Sequence, residues 1–443
     1  MNQEKTYCCE KEACWDDTPI ELEWCPPRGR IAMISMHTCP LTQLGSGTGG
    51  GMNVYVREIS RELGRRGWAV DIFTHAQTVE RPFVIPMARN VRVVHVQAGP
   101  IKYIGKNELY QYVPEFSQNI LEMAAEANIR YDAIYSHYWL SGLVSDRLRA
   151  EWKTPMIQMF HTLGMMKNRV AQRQQDRELD VRIASEKHIM EITDRLIAAN
   201  PIDRQHMLDL YEADPCKIEI VPCGVDLSLF RPYPPDEARE ELELPTDKKL
   251  VLFVGRIEPL KGVDTLIRAM KLLVKQKPAW GKQLMLGIVG GNPEHELEGM
   301  NAEMRRLRAL REELGLHDVV RFLGAQDQEA LPYFYAAADV VAVPSHYESF
   351  GLVALEATAC GTPVVASEVG GLTYTLRDGE NSFLIPPHRP DMLANRIMIL
   401  LENPWLRARM GQEGIKRAQR FGWRSIAGQI LSTIRDLTSV RMA

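Results

Sequence analysis

No two aspartates in this chain stand two residues apart, so the Asp-x-Asp pair that often grips a divalent cation beside a phosphate is missing. No C-x2-C pair appears either, which makes zinc-site spacing poor. The cysteines are uneven: Cys8, Cys9, Cys14, Cys25 and Cys39 crowd the start, and only Cys216, Cys223 and Cys360 follow. A mobile, reduced N-terminal tail fits this better than a metal or redox centre. No apolar run reaches the roughly 18 residues of a membrane span. The opening, MNQEKTYCCEKEACWDD, has no apolar stretch, so an ordinary secretory signal is not expected and the expected compartment is the cytoplasm. Charge of one sign is also lacking: a formal net charge of −4 argues against a general nucleic-acid binder, though it allows a local basic pocket.

What remains is an ordinary globular composition, 45% hydrophobic and 25% charged over 443 residues, long enough for two or three domains. After a tail over residues 1–28, closed by Pro26-Pro27, apolar runs alternate with amphipathic ones. Ile31–Met36 reads as a buried strand, Asn53–Arg66 as a helix and Trp68–Thr74 as the next strand. The alternation continues to strand Lys217–Pro222 and restarts at Leu250–Val254 after the charged, proline-rich stretch 231–249. This pattern predicts two α/β units with parallel sheets, divided near Val225, and a final amphipathic helix from Trp423. The expected domains are 29–225 and 226–422, with 423–443 packing back on the first.

The glycine-rich segment after the first strand contains Gly45-x-Gly47-x-x-Gly50, and Asp71 lies 20 residues beyond Gly51. That spacing matches a dinucleotide fingerprint. Two features oppose an NAD reading: the loop from Met36 to Gly45 is long where such a turn is tight, and Asp71 sits inside its strand. Glycines here suit close backbone approach to a small ligand instead.

The most informative stretch is PSHYESFGLVALEA, Pro344–Ala357. A buried strand, Val340–Val343, leads through a proline and Gly351 into a helical run. That arrangement presents backbone N–H groups to an anion. Glu348 and Glu356 bracket the helix start, and each carboxylate can accept two hydroxyls at once, as the vicinal hydroxyls of a ribose or hexose offer. A phosphate between two sets of sugar hydroxyls is the ligand such a stretch predicts. Solvated glutamates on a plain βα unit are the alternative.

Glu348 and Glu356 enclose seven residues, and this segment resembles the E-x7-E signature of the retaining glycosyltransferases of family 4, which have the GT-B fold. Ala359–Ala366 (ACGTPVVA) and Gly370-Gly371 are similar to the same family, and the likeness runs from about Arg30 to the C-terminus. Further stretches, GGMNVYV at 50–56, SHYWLSG at 136–142 and HTLGMMKN at 161–168, resemble members acting on inositol phosphate or forming sugar phosphates. The cysteine-rich tail and the inserted EHELEGM, 294–300, depart from the pattern.

The resemblance implies two Rossmann-like, doubly wound parallel-sheet domains facing a cleft. It implies transfer of a hexose from a UDP-sugar to a small phosphorylated polyol or sugar. With no Asp-x-Asp, Arg256 and Lys261 in GRIEPLK are the cations expected to hold the leaving diphosphate, and no metal cofactor is expected. The donor is expected on Gly51, Arg256, Lys261, Glu348, Ser349, Phe350, Gly351, Leu352 and Glu356. His161, at a strand end, belongs beside the donor hexose, with its backbone near the anomeric carbon. The catalytic set is then His161, Glu348, Arg256 and Lys261. Carried over by motif, the acceptor falls on Gly50, Asn53, Lys106, Tyr138, Thr162 and Arg182, the last three and Lys106 reading its phosphate. A lipid or polysaccharide acceptor is the alternative within the fold, and a binding protein without transfer is the alternative outside it. The nucleotide base, the hexose and the oligomeric state, a homodimer included, stay open at this point.

Overall fold

The computed structural model describes residues 27–42, 49–79, 82–171, 174, 177–291 and 302–439. The tail cysteines before Cys39, Gly45, Gly47 and the insertion 294–300 lie outside them.

Fourteen strands form two sheets among these residues. The first contains β1 (Arg30–Ile34), β2 (Ala69–His75), β3 (Val84–Ala88), β4 (Val91–Val96), β5 (Ala133–His137), β6 (Met156–Met159), β7 (Arg195–Ala198) and β8 (Ile218–Ile220). Their order is β3-β4-β2-β1-β5-β6-β7-β8, parallel except for β3, which runs antiparallel to β4 at the edge. The second contains β9 (Lys249–Val254), β10 (Leu284–Val289), β11 (Val320–Gly324), β12 (Val340–Val343), β13 (Val364–Ser367) and β14 (Ser382–Ile385), in the order β11-β10-β9-β12-β13-β14, all parallel. Two α/β domains of the Rossmann-like kind are therefore present. Within each sheet the order reverses beside the first strand, between β1 and β5 and between β9 and β12, and such a switch point opens a crevice at the carboxyl ends of the strands.

The strands form where the sequence is apolar over four to seven residues because both sheet faces are covered by helices. All of β2 and all of β10 are buried. Sequence patterning passes over β3 and β14. Strand β3 alternates half-exposed and exposed residues and contains Pro86, which an edge strand tolerates because one side of its backbone needs no partner.

Chain crossings between the domains are tied to each other. Val225 and Gly422 pair as an isolated parallel bridge. A Cβ on Gly224 would stand 2.5 Å from the Trp423 ring, so glycine is what lets the two crossings touch. The helix Trp423–Ser439 then packs along the helix Gly51–Arg65 of the first domain. Trp423 meets Tyr55 edge to face at 5.6 Å, and Thr433 donates to Glu219 at 2.6 Å.

Candidate active site

A cleft of about 750 Å³ lies between the carboxyl ends of the two sheets. Its walls carry Gly50, Gly51, Asn53, Lys106, Tyr138, His161 and Thr162 from the first domain, and Arg256, Lys261, Glu348–Leu352 and Glu356 from the second. Of the donor, acceptor and catalytic residues expected from the resemblance, Arg182 alone is absent from this lining. It lies behind the wall, 1% exposed.

The second-domain wall is shaped by close backbone approaches. Gly351 caps the helix Leu352–Ala359 at φ 88°, a left-handed conformation that costs a non-glycine residue about 1–2 kcal/mol. A Cβ on Gly371 would lie 2.3 Å from the Ser349 carbonyl oxygen, and the Gly371 N–H donates to the Glu348 carbonyl at 2.9 Å. The GG pair thus folds the Glu348–Phe350 loop against the helix start. Across the switch point, a Cβ on Gly290 would stand 1.9 Å from the Gly255 oxygen, so the ends of β9 and β10 meet backbone to backbone beside Arg256.

Charges on this wall are paired. Lys261 Nζ donates to Glu348 Oε2 at 2.5 Å, and Arg256 pairs with Glu258 at 2.8 Å. Glu356 is 7% exposed and accepts from the Tyr335 hydroxyl at 2.8 Å. Burial pushes its carboxyl up to about 7, against the opposing pull of Tyr335 and of the Arg57 charge. Arg57 itself comes from the first domain, on the helix Gly51–Arg65, and its guanidinium bonds Gln328 of the second.

On the facing wall, Tyr138 and His161 follow β5 and β6 with φ of 76° and 61°. Strained backbone at two adjacent strand ends belongs to a site more than to a plain fold. His161 Nε2 lies 3.1 Å from His137 Nδ1, and its ring meets Tyr55 at 5.2 Å. Burial holds the His161 pKa down to about 3, so its imidazole is neutral and a poor proton acceptor. His37, just past β1, packs tilted against Tyr138 at 4.3 Å and is held down to about 3, first by burial and then by the charges around it.

The polar groups expected to read an acceptor phosphate do converge, through a carboxylate. Glu178 Oε1 lies 2.6 Å from Lys106 Nζ, 2.8 Å from Lys167 Nζ and 3.0 Å from Arg182 Nη1. Arg182 also donates to the Tyr138 hydroxyl at 2.9 Å, to the Thr162 carbonyl at 2.7 Å and to Glu186 at 2.7 Å. Asn53 is spent locally: its amide donates to Thr38 Oγ1 at 2.7 Å and to the Cys39 carbonyl at 2.6 Å, while its oxygen accepts the Gly50 N–H at 3.0 Å. It therefore shapes the Gly50 turn while lining the cleft.

Sequence reading passed over His37, Arg57, Lys167, Glu178 and Tyr335. His37 sits at a parallel-strand end, the same signal that singled out His161. Glu178 and Arg182 are four apart, a helical neighbour spacing. Nothing local marks Arg57, whose partners come from the other domain. Asp71 is no ribose ligand: Arg92 binds it at 2.6 and 3.1 Å and Tyr131 at 2.6 Å, within the sheet.

Two parallel-sheet domains facing a cleft, with a glycine-turned loop and helix start on one wall, define the class, a GT-B glycosyltransferase. Comparison with known proteins agrees. Residues 49–229 match the model of Glycosyltransferase Family 4, and residues 235–417 that of Glycosyl transferases group 1. The chain is 41% identical to D-inositol 3-phosphate glycosyltransferase 2 of Catenulispora acidiphila, over 93% of this chain and 97% of that one. It is 42% identical to D-inositol 3-phosphate glycosyltransferase of Kineococcus radiotolerans, over 94% and 97%. Sucrose-phosphate synthase from Thermosynechococcus elongatus superposes with a TM-score of 0.86 at 37% identity, covering 93% of this chain and 100% of that one. The chain belongs to the family 4 glycosyltransferases. Among the described residues no helix is long and apolar enough to cross a membrane, and no group of His, Cys, Asp and Glu is placed to hold a metal ion.

Proposed function

We propose that the protein is a retaining transferase that moves a hexose, of glucose or N-acetylglucosamine type, from a UDP-sugar to a small phosphorylated polyol or sugar, with no required metal. The observation that carries this reading is a cleft with cations on both walls, Lys106 and Lys167 facing Arg256 and Lys261, and with Glu348 and Glu356 beside the helix start on the second wall. Arg256 and Lys261 suit a diphosphate, and Lys106, Lys167 and Arg182 suit a second, separate phosphate. The names of the relatives point the same way, since they are D-inositol 3-phosphate glycosyltransferases and a sucrose-phosphate synthase.

In this reading Glu356 holds the ribose hydroxyls and Glu348 those of the hexose. The bond from the anomeric carbon to the diphosphate breaks with its electron pair going to phosphate. Arg256, Lys261 and the first N–H groups of the helix Leu352–Ala359 stabilise that charge. The acceptor hydroxyl attacks on the same face, and its proton passes to the departing phosphate oxygen. A neutral, enclosed His161 is consistent with assigning it no base role. Lys261 must then share itself between Glu348 and phosphate.

The test is a mass-spectrometric screen of UDP-sugars against inositol phosphates, sugar phosphates and their unphosphorylated analogues, with excess chelator in parallel. Transfer to a phosphorylated acceptor is expected, unaffected by chelator. Transfer only to lipid or polysaccharide would refute the acceptor class. Activity lost to chelator and restored only by magnesium or manganese would refute the metal-free reading.

A further inference from the structure

The guanidinium of Arg182 has no free direction. Nε is on Glu186, Nη2 is on both oxygens of Thr162, and Nη1 is shared between the Tyr138 hydroxyl and Glu178. Any anion that reaches Arg182 must replace one of these partners. Glu186 is fully buried and also accepts the Gly164 N–H at 2.9 Å and the Tyr211 hydroxyl, so it cannot leave cheaply. Thr162 offers a backbone carbonyl fixed at the end of β6. Glu178 differs. Its side chain alone bridges Arg182 to the two lysines that line the cleft. Its backbone is pinned by Asn168, whose oxygen accepts the Glu178 N–H at 2.7 Å, so the carboxylate can rotate out without moving the chain.

Charge points to the same group. Three cations, Lys106, Lys167 and Arg182, face two carboxylates, Glu178 and Glu186. A phosphate dianion added to this set would confront Glu178 at short range. The same dianion in place of the Glu178 carboxylate leaves the cluster neutral.

We propose that Glu178 is a resident counter-anion that occupies the acceptor-phosphate subsite when it is empty, and that the acceptor's phosphate binds by displacing the Glu178 carboxylate from Lys106, Lys167 and Arg182. This rests on the acceptor class given above. It makes Glu178 a specificity-determining residue. An acceptor without a dianion leaves the carboxylate in place and finds the cations already satisfied. The preformed pairs also keep three cations from repelling one another in the free enzyme.

The probe is inorganic phosphate, measured by calorimetry on the full chain without donor, which separates this inference from the transfer reaction. Glu178→Gln removes the competing charge and keeps the shape, and phosphate should bind about tenfold tighter than to the unaltered protein. Equal or weaker binding overturns the proposal, since a purely structural Glu178 would weaken the site when neutralised. A crystal of the unaltered protein soaked in phosphate gives a second reading independent of how the variant folds. Phosphate on Lys106 and Lys167 with Glu178 rotated away supports the displacement, and phosphate beside an unmoved Glu178–Arg182 pair overturns it. Tighter phosphate binding in Glu178→Gln with no transfer to any phosphorylated acceptor would sink the proposed function while leaving the anion subsite standing. Transfer without that gain would do the reverse.

Discussion

Lys261 Nζ stands 2.5 Å from Glu348 Oε2, joining the turn after β9 to the loop after β12 on the second-domain wall of the cleft. Both side chains are about one-fifth exposed, 22% and 18%. In the proposed reading the pair sets a cation that holds phosphate against a carboxylate that holds a sugar. Lys261→Ala removes a charge-assisted phosphate contact, and UDP affinity should fall about 10- to 100-fold. Glu348→Ala releases Lys261 and should leave UDP affinity equal or higher while kcat falls. Calorimetry with UDP and steady-state kinetics separate the two, and a Glu348 variant that loses UDP binding as severely as the lysine variant would contradict the division of roles.

Glu356 should make nucleotide binding depend on pH. Its carboxyl is raised from an ordinary 4.5 to about 7 by burial. An acid raised in the folded state binds protons that the unfolded chain has released, so this group lowers stability as pH climbs from about 4.5 to 7, with no further change above that. The difference amounts to about 3 kcal/mol. Glu356→Gln should therefore gain stability relative to the unaltered protein at pH 8 and not at pH 4. If, as proposed, the ionised carboxylate accepts both ribose hydroxyls, UDP affinity should rise with pH toward 7, and the titration of UDP itself cancels when the variant is subtracted. A difference curve flat from pH 5 to 8 would remove Glu356 from the ribose.

Contacts of the two domains across the cleft should govern closure. Asn200 donates to the Ser349 carbonyl at 2.6 Å, Arg57 bonds Gln328, and a Cβ on Gly51 would stand 3.0 Å from Leu352 Cδ1. UDP should shrink the radius of gyration seen by X-ray scattering, because closure excludes water as a competing acceptor. Gly51→Val, with its bulk in that contact, should blunt the shrinkage and lower kcat more than UDP affinity. An unchanged radius in the unaltered protein, with and without UDP, would count against a closing cleft.

Arg182→Ala should raise the KM of a phosphorylated acceptor and leave UDP affinity alone. It also strands Glu186, fully buried, without its cation, a loss of about 3–5 kcal/mol that must be checked by melting first. Lys106→Ala is the cleaner probe, since its side chain is 36% exposed at the cleft. It should penalise a phosphorylated acceptor about tenfold more than its unphosphorylated analogue. Equal losses on both would show a pocket that does not read phosphate.

By itself the sequence determined the two α/β domains, the sheet-forming runs and the stretch that carries Glu348 and Glu356. Those are local matters: an apolar run buried on both faces, a glycine that turns a strand into a helix, and a fixed spacing between two carboxylates all sit within some twenty residues of chain. Edge strand β3 escaped because half-exposed residues and a proline erase the apolar signal that marks buried strands. Only the tertiary structure decided how the charges are shared. Arg182 reads as a free cation along the chain, yet folding buries it behind Tyr138 and Thr162 and gives it to Glu178 and Glu186. Lys106 and Glu178 are 72 residues apart, Lys261 and Glu348 are 87 apart, and Arg57 reaches Gln328 over 271. Such partners meet because parallel strands deliver their carboxyl ends to one crevice, and a low-dielectric wall makes each charge there choose a partner.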